Sequence, residues 1–185
     1  MKSKKKWLIA FFLMLILLSC GKKENKGSNV ENKSNTEQSE DQLVTFKDKS
    51  IERVISDFEI ISKENKIKLN NFENLKYENQ NFYMAEITSK ADSSYTISYQ
   101  GIDIKGLVLK VGVVNNSDLA MIEDMVVNLI EVSDKRIAED EARAIYTELL
   151  SEIKEDKLSN SAKYKNGITY SVKIEKTGAL IFSAQ

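Results

Sequence analysis

Ser151-Glu152-Ile153-Lys154 sets a hydroxyl and an amine one helical turn apart, a spacing at which a lysine can activate a serine. Lys176-Thr177-Gly178 lies further along the chain and could join the same chemistry. Carboxylates cluster at Glu123-Asp124, at Glu139-Asp140-Glu141 and at Glu152 with Glu155-Asp156. Paired acids perform acid–base work, but neighbours on a helix point about 100° apart and do not converge as a glycosidase pair does. They read as solvated helix faces. The tyrosines offer binding chemistry instead. Tyr83, Tyr95 and Tyr99 fall on adjacent expected strands, with Tyr77 nearby. A tyrosine-bearing sheet face gives large contact area with a polar handle. The alternative is that these rings pack under helices with their hydroxyls reaching the rim.

Composition removes most other chemistry. The chain has 185 residues, no His, no Pro and one Cys, Cys20. Without His or a second thiol there is no ordinary zinc, haem or iron–sulfur site, no Ser-His-Asp or Cys-His constellation and no intramolecular disulfide. No calcium loop and no Gly-rich phosphate loop occurs, so no metal or cofactor is expected. Lys and Arg number 27 against 28 Asp and Glu, which gives no field to recruit nucleic acid. The Ser-Lys and Lys-Thr-Gly motifs are shared with penicillin-binding proteins and β-lactamases. The likeness stops there. Ser133-Asp134 is followed by Lys135 instead of Asn and precedes the Ser-Lys pair. Ser151 falls near an expected helix end, and the chain is too short for that family's two-part scaffold. The match reads as chance, and no catalysis is expected; a buried Asp or Glu acting alone in an envelope hydrolase is the remaining enzymatic alternative.

The N-terminus carries an address. Lys2, Lys4, Lys5 and Lys6 precede an unbroken apolar run from Trp7 to Leu18, then Ser19-Cys20-Gly21. Twelve such residues make about 18 Å of helix, short of a hydrocarbon core of about 30 Å. A basic stretch, a short apolar run and a small residue before the cut describe a secretory signal peptide over residues 1–19. Leu17-Leu18-Ser19-Cys20 resembles the lipobox of bacterial lipoproteins. The resemblance implies that the Cys20 thiol joins diacylglycerol and becomes the mature N-terminus, with further acylation such as palmitate. Two or more acyl chains give stable attachment to the cell membrane. Cleavage would remove four lysines, leaving 23 of 27 basic groups against 28 acidic ones. The anchor, not charge, would then hold the protein at the membrane.

Residues 21–42, GKKENKGSNVENKSNTEQSEDQ, contain one apolar residue, Val30. Such a segment cannot bury enough surface to offset its ordering entropy and is expected to be a disordered tether, spanning on the order of 25 Å. With lipidated Cys20 it forms a 20–42 linker ahead of a domain over 43–185, long enough for one core.

Within that domain Ser50 caps a helix whose Ile51, Val54, Ile55, Phe58 and Ile61 share one face, stopping near Asn65. Leu75 and Tyr77, then Tyr83, Ala85 and Ile87 after an Asn79-Gln80-Asn81 turn, then Tyr95, Ile97 and Tyr99 alternate as strands. Beyond a Gly101–Gly106 gap, Leu107, Leu109, Val111 and Val113 continue the period of two. Asn115 to Asp118 caps a helix with Leu119, Ile122, Met125, Val126, Leu129 and Ile130 on its stripe. Ser133-Asp134 opens a longer one running through Ile153, and a last strand pair follows around Ile168–Ile174 and Leu180–Phe182. The order α, three or four β, α, α, β, β predicts one α+β domain, an antiparallel sheet with helices packed on one face.

The function expected is that of an outward-facing, lipid-anchored lipoprotein of the cell membrane. Its domain would bind another envelope macromolecule in an immunity, exclusion or accessory role. Lys-, Asn- and Ile-rich usage associates it with AT-rich, Gram-positive bacteria. Small-ligand capture for a transporter is the alternative.

Overall fold

The computed structural model describes residues 44–185. The expectations for the signal peptide, for Cys20 and for the tether lie outside the described residues. Helix α1 spans Ile51–Glu64, and strands β1 (Glu73–Tyr77), β2 (Gln80–Glu86), β3 (Ser94–Gln100) and β4 (Asp103–Val113) follow. Helices α2 (Leu119–Ser133) and α3 (Glu139–Ser151) come next, then β5 (Ser159–Lys163), β6 (Thr169–Ile174) and β7 (Ala179–Ala184). All seven strands form one antiparallel sheet in the order β1-β2-β3-β4-β7-β6-β5. The α+β class and the coarse element order match the expectation.

Alternation explains the layering. Tyr95 and Ile97 on β3, Leu107, Leu109 and Val111 on β4, Leu180 and Phe182 on β7 and Tyr170 and Val172 on β6 point to one face and join one core. The helices close that face. Helix α2 is apolar nearly all round, and it sits between α1, α3 and the β4–β7 centre of the sheet. Helix α1 turns in Val54 and Phe58, each fully buried and contributing about 1.5–3 kcal/mol. Its start is set by Ser50, whose hydroxyl accepts from the Arg53 amide at 3.3 Å.

Several local expectations are corrected. The β1–β2 turn is Glu78-Asn79, with Glu78 at φ 51°, so Gln80 and Asn81 belong to β2. Gly101, at φ 63°, makes the β3–β4 link a two-residue hairpin because Gln100 pairs with Asp103. Ser133-Asp134 ends α2 instead of opening α3; the Asp134 carboxylate accepts from the Arg136 amide at 3.0 Å and from its guanidinium at 2.8 Å. Strand β5 is an addition to the expected order. Its sequence, SNSAK, has no apolar alternation, and it pairs on one side only, at the sheet edge.

Candidate binding surface

The three singled-out tyrosines separate into two environments. Tyr95 is fully buried: its ring centroid lies 4.7 Å from that of Phe58, and its hydroxyl donates to the Met125 carbonyl at 2.8 Å. Asn128, buried on α2, donates to the same hydroxyl at 3.4 Å and to Ser62 Oγ at 2.7 Å. Asn65 in turn donates to Asn128 Oδ1 at 3.2 Å. Burial pushes the Tyr95 hydroxyl far above its ordinary pKa, so it stays a neutral donor. Tyr95 is therefore a core residue tying β3 to α2 and takes no part in a contact surface.

Tyr83 and Tyr99 are half-buried, on the margin of the same face that reaches toward β1. Their ring centroids are 5.5 Å apart. The Tyr99 hydroxyl donates to Asn74 Oδ1 at 3.1 Å, and Asn74 Nδ2 donates to the Tyr83 hydroxyl at 3.2 Å. Asn74, exposed on β1, sits directly opposite Tyr83 in the register. One amide thus fixes two rings, leaving little rotamer freedom to lose on contact. Ile102 stands at the adjacent β3–β4 hairpin tip, 88% exposed. Nothing in the sequence alone marks Asn74 or Ile102. Asn74 shows its role only once the β1–β2 register is known.

Clefts flank the helices, two of them lined by charged residues of α2 or α3 and the segment between them. One of about 530 Å³ is lined by Lys49, Arg53, Asp57, Glu64, Glu131 and Glu139 among others. Lys49 Nζ holds Asp57 at 2.8 Å. Burial, with Glu139 and Glu64 nearby, pushes the Glu131 carboxyl above its ordinary value. The other, about 410 Å³, has its charges matched: Arg136 pairs with Asp134 at 2.8 Å and Lys165 with Glu141 at 2.9 Å.

The residues considered for catalysis hold structural positions. Ser151 ends α3 and donates to the Glu148 carbonyl at 2.7 Å. Lys176-Thr177-Gly178 forms the β6–β7 turn, closed by the Gly178 amide on the Glu175 carbonyl at 2.8 Å. Glu123, Asp124 and Glu139 do converge, but on Arg143, at 3.1, 2.8 and 2.8 Å, clamping α2 to α3. Among the described residues no group of three potential ligands is placed to hold a metal ion, and no helix is long and apolar enough to cross a membrane. Compared with family models, curated proteins and solved structures, the chain matches none.

Proposed function

We propose that this chain is an outward-facing lipoprotein, anchored to the cell membrane through acyl chains on Cys20, whose domain binds another envelope macromolecule and performs no catalysis. An immunity, exclusion or accessory role fits that chemistry. The anchor is supported by the apolar run from Trp7 to Leu18 that ends at Ser19-Cys20. The binding role is carried by the Tyr83–Asn74–Tyr99 clasp, an aromatic pair held in place and half-exposed beside an exposed isoleucine. Aromatic anchors that are already ordered contribute strongly to interfaces.

Capture of a small ligand for a transporter is the second reading, favoured by the cleft of about 530 Å³. That volume is in the range of ligand pockets, but its walls are charged where such pockets are mostly apolar.

Two measurements test the proposal. Cys20→Ala should stop incorporation of labelled fatty acid and move the protein out of the detergent phase; unchanged partitioning refutes the anchor. Tyr83→Ser with Tyr99→Ser should abolish crosslinking to a partner on intact cells at unchanged abundance. Undiminished crosslinking refutes the clasp as the contact.

A further inference from the structure

The two edges of the sheet are built differently. Strand β5 forms one of them, pairing Ser159 with Lys173, Ser161 with Ser171 and Lys163 with Thr169 of β6. Just beyond these pairs the Ile174 amide donates to the Leu158 carbonyl at 2.8 Å, and the Tyr164 amide to the Ile168 carbonyl at 3.0 Å. Bonded and non-bonded pairs alternate along an antiparallel ladder, so the bonds at 158 and 164 assign 160 and 162 to β6 as well. The amides and carbonyls of Ser159, Ser161 and Lys163 therefore point out of the sheet, and among the described residues none of them has a hydrogen-bond partner. All three side chains are exposed. The β1 edge offers less. Tyr77 pairs with Gln80 across a two-residue turn, so within β1 only Asn74 and Lys76 turn backbone groups outward. Its register slips by one residue between the Glu73–Met84 pair and the Leu69–Ile87 bridge. A bulge of that kind and a lysine amid the outward groups keep an edge from pairing. Strand β5 runs from 158 to 164 with no such slip, its centre is Ser-Asn-Ser-Ala, and lysine comes only at its end.

We infer that β5 pairs with β5 of a second copy of this chain, continuing the sheet across a twofold axis at Ser161. The edge is self-complementary. An axis normal to the sheet sets the two strands antiparallel, with Ser161 opposite Ser161 of the copy and Ser159 opposite its Lys163. Each outward amide then meets an outward carbonyl, and no like charges stand opposite each other between Ser159 and Lys163. The same axis keeps both helical layers on one side of the joined sheet. Each chain enters its domain in that layer, where the Val44 carbonyl accepts from the Lys135 amide at 3.1 Å just after α2. Both chains can thus run to one membrane. Five residues a side bury less than the roughly 800 Å² per partner of a standard interface. The pairing therefore rests on the anchored reading for its strength, since anchors in one membrane raise the effective concentration of the copies.

The test is disulfide trapping of the full-length chain on intact cells under mild oxidation, read as dimers on non-reducing gels. Facing residues of a bonded antiparallel pair lie about 5.5 Å apart at Cα, within reach of a disulfide. Ser161→Cys should trap a dimer of the chain. Ser159→Cys and Lys163→Cys should each fail alone, because a position four residues off register lies about 13 Å from its copy. Co-expressed with different tags, those two should trap each other. Lys76→Cys, on the opposite edge, should trap nothing. Ser161→Lys sets like charges across the axis and should cut the 159–163 adduct about tenfold, and co-expression with Ser161→Glu should restore it. Circular dichroism confirms that each variant is folded. The inference is overturned if Ser161→Cys gives no dimer, if Lys76→Cys gives as much, or if the 159–163 preference is missing. An adduct between Ser161→Cys and a different protein also overturns it, since another partner then occupies the edge. Detergent-phase partitioning of the same samples reports the anchor separately. Anchored protein without adducts overturns the pairing alone. A disulfide dimer of the unsubstituted chain reports a free Cys20 thiol and refutes the anchor, and the series is then read with Cys20→Ala.

Discussion

Tyr95 and Tyr99 lie four residues apart on one face of one strand, yet they meet different worlds. Tyr95 sits under α1 and α2, its ring tilted against Phe58 and its hydroxyl bonded to Met125 and Asn128. Tyr99 lies past the helical roof, paired with Tyr83 and held by Asn74. Strand periodicity assigns a face, but the roof decides what that face does. Where helices cover it, tyrosine is an aromatic core residue with an internal donor. Where they stop, the same residue type becomes a shelf.

The sharpest way to break this contrast is to truncate each ring. Tyr95→Ser should cost about 3–5 kcal/mol, as other aromatic truncations in cores do. Tyr99→Ser should cost about 1 kcal/mol or less, near the range of surface changes. Urea denaturation measures both, and equal losses would erase the distinction. Asn128→Ala comes next. It removes the amide shared by Ser62, Tyr95 and Asn65. A loss of about 1–3 kcal/mol is expected, the cost of stranding buried polar groups. A neutral Asn128→Ala in thermal unfolding would mean the network does not hold the roof on the sheet.

Asn74→Ala probes the shelf with a smaller effect on stability, about 1 kcal/mol or less because Asn74 is exposed. Its consequence should be dynamic: ring resonances of Tyr83 and Tyr99 should broaden or average in NMR spectra while those of Tyr95 stay unchanged. Unaltered spectra would show that the amide does not order the rings.

The smallest effect concerns the outer wall of the roof. Glu131 has its pKa raised by burial and by Glu139 and Glu64, so its ionisation opposes folding. Stability linked to it is therefore gained as pH falls through the raised value and is complete below the ordinary 4.5. Glu131→Gln should stabilise the protein slightly at neutral pH, and the advantage should vanish below pH 4.5. An advantage that persists in acid would assign the effect to packing instead of charge.

What could be read from the sequence follows the same division. Ser50 and the stripe from Ile51 to Ile61 locate α1 because cap and apolar period are both local signals. Strands β2, β3 and β4 announce themselves by alternation for the same reason. Strand β5 does not, since as an edge strand it turns only Ala162 and Asn160 toward the helices, and Asn160 is spent on the Leu149 carbonyl at 3.2 Å. Ser133-Asp134 misleads because the same residue pair suits a helix start and the Asp134–Arg136 turn that follows α2. The clasp is harder still. Tyr83 and Tyr99 are visible as strand tyrosines, but Asn74 joins them only through a pairing between separate strands.

The central claim is that an anchored domain meets its partner through the margin where the roof ends. The most direct measurement places a photoreactive benzophenone side chain at position 99 and, in a separate variant, at position 60, where Ile60 is 51% exposed on α1. Irradiation of intact cells should give one discrete adduct from position 99, none from position 60, and none from position 99 when Cys20→Ala releases the protein. The same adducts from both positions, or none from position 99 while the protein is anchored, would contradict it.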